Sequence, residues 1–259
     1  MSDDSQELDP TYFELQAYTG ATKHMGGLRS TNELLELCHM AESKPVLEVG
    51  CGAGATAVYI AKKYGGKVVG VDLRETMVDL ARARAKRESV EDRTEFRVAD
   101  AQQLPFDDEL FDAVIAESVT TFIEDKQSAV SEYARVTKPE GYVGLNEEIW
   151  LKTPAPAELV EWAARTWDIE SEIPTADGWA DMLEAAGLRE VVAKPYTFSA
   201  LREATRVLRY GCRDLWGVLY RTVSLYLTSS EFRQYMKGRQ RLPKGIWEYL
   251  GHGLFVGRK

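Results

Sequence analysis

The chain has little that would tie it to a metal, a membrane or an oxidising compartment. It holds three cysteines, Cys38, Cys51 and Cys212, odd in number and far apart. No disulfide framework or zinc spacing can be drawn from them, so no metal site is expected and a reducing cytoplasm is the expected setting. The opening residues, MSDDSQELDP, are acidic and polar, the reverse of a secretory leader. No run approaches the ~18 apolar residues of a membrane span. Basic charge is also short. A formal net charge of -9 lacks the footprint of a nucleic-acid binder, and none is expected as a partner. The small cluster Arg82, Arg84, Lys86 and Arg87 reads as a solvated helix face.

The 259 residues are 44% hydrophobic, enough for one large domain or a domain with an elaboration. Residues 1–44 read as an N-terminal segment: a polar tail of about ten residues, then a cap helix over 30–40. Leu34, Leu35 and Cys38 recur there at helical spacing, with Ser30 or Thr31 as cap. From 45 to 259 a single domain is expected. Short apolar runs (Val46–Val49, Val68–Val71, Phe96–Val98, Ala113–Ala116, Tyr142–Leu145) alternate with helical patterns near 55–64, 75–87 and 126–136. That alternation specifies an α/β fold, a mostly parallel sheet with helices on both faces. Beyond 151, helices near 157–167 and 177–186 lead to a strand near 190–196. A helical insertion at about 199–245 separates it from a last strand near 253–256. Trp216, Val218, Leu219, Val223, Leu225 and Tyr226 make the insertion too apolar for a bare surface helix. It is expected to pack as a lid on the sheet or against a partner chain, which allows a homodimer; a membrane-surface role is the weaker reading.

The stretch PVLEVGCGAGATAVYIAKKYGGKVVGVDL, residues 45–73, has the order strand, glycine loop, helix, strand, acid. Glycines at 50, 52 and 54 permit positive φ and let a ligand approach the backbone. Asp72, ending the second strand, can accept both hydroxyls of a ribose. These features point to a nucleoside cofactor and leave its identity open, since Gly50, Gly52 and Ala55 also satisfy a loose dinucleotide pattern. Glu48, two residues before the first glycine, would repel a pyrophosphate and suits a ligand bearing an ammonium group. Asp100, in RVADAQQLPF after the third strand, can accept from an adenine amine, with Ala101 and Gln102 beside it.

With FDAVIAESVTTF and VTKPEGYVGLNE supplying the next two strands, residues 45–150 resemble the class I S-adenosylmethionine-dependent methyltransferases, nearest the ubiquinone/menaquinone-type and sterol-type enzymes that act on small molecules. The resemblance implies a Rossmann-like sheet of seven strands with the last antiparallel, the cofactor S-adenosylmethionine and the product S-adenosylhomocysteine. It implies that the backbone of Gly50, Cys51 and Gly52, near Gly54, approaches the methionine moiety, with Glu48 steadying the loop or the amine. Asp72 would hold the ribose, Leu73 and Met77 would border the adenine, and Asp100, Ala101 and Gln102 would meet its edge. Glu117 and Ser118 would lie near the methyl. The sequence departs from the family at Lys138-Pro139-Glu140-Gly141, where two glycines are usual; Glu140 fits if its φ is negative.

The acceptor is less legible; a small, partly apolar molecule is expected. His24, Glu117 and Glu147 are the candidate catalytic groups, and Tyr18, His24, Ser118, Glu147, Trp150 and Tyr210 candidate substrate contacts. Trp216 and Tyr220 could wall an apolar pocket with Tyr210, although core packing suits them as well. Tyr18 and His24 belong to YTGATKHMGGLRST, which resembles the segment closing over the cofactor in those enzymes. The competing functions are an NAD-dependent oxidoreductase and a non-catalytic S-adenosylmethionine-binding regulator.

Overall fold

The computed structural model describes residues 24–167, 169, 172–205, 212–230, 232–233 and 242–259, with Gln16 and Thr19. The expected N-terminal tail, Tyr18 and Tyr210 lie outside the described residues. Seven strands form one sheet: β1 Val46–Val49, β2 Val68–Asp72, β3 Thr94–Val98, β4 Phe111–Glu117, β5 Thr137–Trp150, β6 Arg189–Thr197 and β7 Leu250–Arg258. Their order is β3-β2-β1-β4-β5-β7-β6. The first five run parallel, and β7 is antiparallel to both β5 and β6. The expected fold class is thus the observed one. The described helices are α1 Gly27–Leu37, α2 Ala55–Tyr64, α3 Glu75–Arg87, α4 Lys126–Val136, α5 Ala157–Trp167, α6 Ala176–Ala185, α7 Ala200–Ala204, α8 Cys212–Thr228 and α9 Ile246–Tyr249.

The core splits by sheet face because side chains alternate along each strand. Val46, Val68, Phe96, Ile115 and Leu254 pack under α1, α2 and α3. Leu47, Val114, Leu145, Ile149 and Phe255 pack under α4 and α6, around Trp179 and Tyr133. The strand order reverses beside β1, between β2 and β4, so a crevice opens at the carboxyl ends of β1 and β4.

Four local expectations are corrected. Helix α1 starts at Gly27 behind Gly26 (φ 79), and Ser30 and Thr31 lie inside it, buried, rather than capping it. Arg84 is only 5% exposed; it lies on the inner side of α3, so it is not part of a solvated basic face. Strand β5 starts at Thr137, five residues before its expected start, because the Lys-Pro-Glu-Gly segment is drawn into it as an irregularity opposite Phe111–Ala113. Glu140 there has φ 67, not a negative value; its carboxylate is ion-paired with Arg258 and lies 3.7 Å from Arg189. On α8, Trp216 and Tyr220 are 70% and 75% exposed, so of the two expected packings, on the sheet or against a partner chain, these side chains do not make the first. Among the described residues, no helix is long and apolar enough to cross a membrane.

Candidate active site

The crevice is a cavity of about 340 Å³, whose lining includes Glu48 to Gly52, Asp72 to Arg74, Met77, Ala99 to Gln102, and Glu117 to Val119. At its floor the chain leaves β1 and turns sharply, with Gly50, Gly52 and Gly54 at φ 66, 50 and 73. An L side chain is strained in this region, and a Cβ on Gly50 would lie 2.1 Å from Val119 Cγ2. Gly54 caps α2 without joining the cavity wall.

Asp72 ends β2 with its Oδ2 accepting the Gly52 N–H at 2.9 Å and its Oδ1 accepting the Arg74 N–H at 3.0 Å. Burial raises its pKa, and the two backbone donors and Arg74 oppose that rise. Beside it Leu73 is 68% exposed, an apolar side chain facing open space at the mouth, while Met77 is buried. Asp100 Oδ1 accepts the Gln102 N–H at 2.8 Å, which turns the carboxylate along the cavity rim. Cys51 lines the floor, but burial, then Glu48 and Asp72, push its thiol well above the ordinary range. It is no thiolate at neutral pH.

At the other end, Glu117 closes β4 beside its register partner Asn146 on β5. Its carboxylate accepts from Asn146 Nδ2 at 3.2 Å, from Thr56 Oγ1 at 3.3 Å, and from Thr31 Oγ1, which lies 3.0 and 3.2 Å from its two oxygens. His24, 4% exposed, completes the cluster. Its Nδ1 lies 3.5 Å from Glu117 Oε2 and 3.1 Å from the Met25 carbonyl, and its Nε2 lies 3.3 Å from Thr31 Oγ1. Nδ1 thus faces two acceptors and one donor, the Asn146 amide, whose Nδ2 lies 3.1 Å away. A carboxylate, an imidazole and a hydroxyl in mutual reach at a cavity wall can orient an acceptor or take a proton from it. Ser118, held at φ 53, lines the same wall and donates its Oγ proton to Glu148 Oε1 at 2.8 Å.

Glu147 is elsewhere. It is fully buried outside the cavity lining, on the opposite side of β5 from Asn146 by strand alternation. Its oxygens accept the N–H groups of Val119, Thr120 and Thr121 at 3.2, 2.9 and 3.0 Å, and the Thr121 hydroxyl at 2.8 Å. It caps the turn 118–122 rather than meeting a substrate. Burial, then repulsion from Glu148, raises its pKa. Trp150 packs with Leu159, Ala163, Ile173 and Leu250, also away from the cavity. Trp216 and Tyr220 do not line it either.

Several lining or supporting groups were not singled out from sequence: Asn146, Thr31, Thr56, Arg74, Phe122 and Glu124. Asn146 carried a usable signal, since strand parity sets 146 and 148 on one face and 147 on the other. Thr31 and Thr56 carried none, because their meeting at Glu117 depends on how two helices dock.

Comparison with known proteins agrees with this geometry. A family model described as a methyltransferase domain matches residues 47–145. An uncharacterized protein of Haemophilus influenzae is 33% identical over 64% of the chain and 66% of its own length. The methyltransferase GfsG of Streptomyces halstedii is 31% identical over 62% of the chain and 59% of its own. The chain thus spans less than two thirds of each of these relatives. Among solved structures, phosphoethanolamine N-methyltransferase 2 of Haemonchus contortus, in complex with S-adenosyl-L-methionine, superposes with a TM-score of 0.73. That match has 19% identity and covers 99% of this chain and 58% of that one; at such identity it speaks for the fold.

Proposed function

Because the chain belongs to the class I S-adenosylmethionine-dependent methyltransferases, we propose that it moves a methyl group from that cofactor to a small, partly apolar molecule by in-line displacement. The observation that carries this is the charge of the cavity. Glu48, Asp72, Asp100, Glu117 and Glu124 line it, and Arg74 is the one Lys or Arg among the described lining residues. A sulfonium that also bears an ammonium group suits such a wall. A dinucleotide pyrophosphate would face Glu48 directly, with no cationic cradle on the loop.

In this reading Asp72, already aimed by two backbone N–H groups, takes the ribose hydroxyls. Leu73 and Met77 flank the adenine, Asp100 accepts from its amine, and Glu48 takes the ammonium group through the open loop. Bound S-adenosylmethionine would supply an electrophilic methyl. The protein's part is to align an acceptor with it and exclude water. Val119, Phe122 and Ile123 offer an apolar wall for the acceptor. His24 and Glu117 orient it, and where its nucleophile carries a proton, His24 is the group to receive it.

Calorimetry with S-adenosylmethionine, S-adenosylhomocysteine and NAD tests the cofactor. The first two are expected to bind and NAD not; preference for NAD, or binding of none of the three, overturns the reading. Labelled cofactor incubated with cell extract split into lipid, quinone and polar pools then identifies the acceptor. Tight binding with no label transferred to any pool would favour a regulatory protein instead.

A further inference from the structure

The Met25–Gly26 peptide is gripped at both of its polar atoms. The Met25 carbonyl lies 3.1 Å from both Asn146 Nδ2 and His24 Nδ1. The Gly26 N–H, on the other edge of the same peptide, donates to Glu203 Oε1 at 2.6 Å. Asn146 belongs to the sheet; Glu203 sits on α7, in the stretch between β6 and β7. Glu203 is only 8% exposed, so this charge-assisted hydrogen bond is largely shielded from water. Glycine is required here: φ is 79, and a Cβ would lie 2.0 Å from Ser30 Oγ. Two further bonds join the same parts of the chain. Arg29 N–H donates to Thr205 Oγ1 at 3.4 Å, and Arg221 Nε on α8 donates to the Thr19 carbonyl at 2.9 Å.

We infer that Glu203 is a positioning residue which, through the Met25–Gly26 peptide, holds His24 at the cavity wall and couples the stretch between β6 and β7 to cofactor binding. A carboxylate accepting the Gly26 N–H polarises the peptide, so its carbonyl becomes a stronger acceptor for the Asn146 amide N–H, and for His24 Nδ1 when that nitrogen carries a proton. That holds the imidazole in place, with Nδ1 beside the Met25 carbonyl and Nε2 3.3 Å from Thr31 Oγ1. The described residues of the stretch thereby act on the site through one peptide plane, and none of them lines the cavity.

The coupling rests on the cavity being the S-adenosylmethionine site, so the test has one arm without ligand. In the ligand-free chain, Glu203→Ala is expected to speed exchange of the Gly26 amide about tenfold and to change the His24 ring-nitrogen chemical shifts. In the second arm, affinity for S-adenosylhomocysteine is expected to fall about tenfold. Glu203→Gln keeps an acceptor oxygen and is expected to restore most of both. Unchanged exchange and shifts in Glu203→Ala would overturn the positioning role, and unchanged affinity would overturn the coupling. Equal losses in the Ala and Gln variants, tracking melting temperature, would mark Glu203 as merely structural. If the unaltered chain bound no S-adenosylhomocysteine, the cofactor reading would fail and the exchange arm would still judge Glu203.

Discussion

Asp72 Oδ2 accepts the backbone N–H of Gly52 at 2.9 Å, so the acid that ends β2 also pins the glycine loop that follows β1. One carboxylate therefore shapes two walls of the cavity. Replacing Asp72 with Ala frees the loop and, in the proposed role, removes the ribose acceptor as well. S-adenosylhomocysteine affinity is expected to fall by one to two orders of magnitude, about 1.5–3 kcal/mol for hydrogen bonds to a charged group. Titration calorimetry reads this directly, and unchanged affinity would take Asp72 out of the ribose role.

Asn146 donates to Glu117 Oε2 at 3.2 Å and to the Met25 carbonyl at 3.1 Å from a fully buried position. Asn146→Asp is nearly isosteric, yet it replaces the donor with a second carboxylate facing Glu117. It is expected to destabilise the fold by about 3–5 kcal/mol, the range for an uncompensated buried charge, more so at pH 8 than at pH 5. Asn146→Ala is expected to cost less. Denaturant melts of the two variants at both pH values give the comparison.

Glu147 and Glu148 supply a pH dependence. Burial and the neighbouring Glu148 hold the Glu147 carboxyl above its unfolded value of 4.5. The folded chain therefore binds more protons than the unfolded chain between that value and the raised folded pKa. Over that window stability falls as pH rises, and the Glu147 contribution present below pH 4.5 is lost on approaching neutrality. Asp72, also raised by burial, acts in the same direction. Lys126 and Tyr133 face Glu147 as well, and the Lys126 charge partly offsets the repulsion. Glu148→Gln removes the repulsion but can still accept from Ser118, so its stability should decline less steeply than wild type from pH 5 to 7. Parallel pH profiles for the two proteins would show that Glu148 does not set the Glu147 ionisation.

The central strands β1, β2 and β4 were readable before folding because they are largely buried on both faces and appear as short apolar runs. The helices between them carry a clean helical period, as in Ala55–Tyr64 and Glu75–Arg87. Glu48, Asp72 and Asp100 were equally legible as candidates, since each sits in the last residues of a strand or just after it, and the alternation sets the strand's direction. Where sequence reading failed, the deciding interaction was non-local. Glu140 takes a positive φ in company with Arg189 and Arg258, and Glu147, set by strand parity on the face opposite Asn146, there meets the three N–H groups of the 118–122 turn.

The amino-acid sequence by itself determined the architecture and the acid-lined half of the cavity, because both depend on periodicity and on residues within a few positions of a strand end. Only the tertiary structure decided the other half. Thr31, Thr56, Glu117, Asn146 and His24 come from five separate places in the chain, and Glu203 reaches Gly26 across 177 residues. No local pattern encodes such a meeting. It exists because the helices dock on the sheet, and burial then requires each polar group brought inside to find a partner.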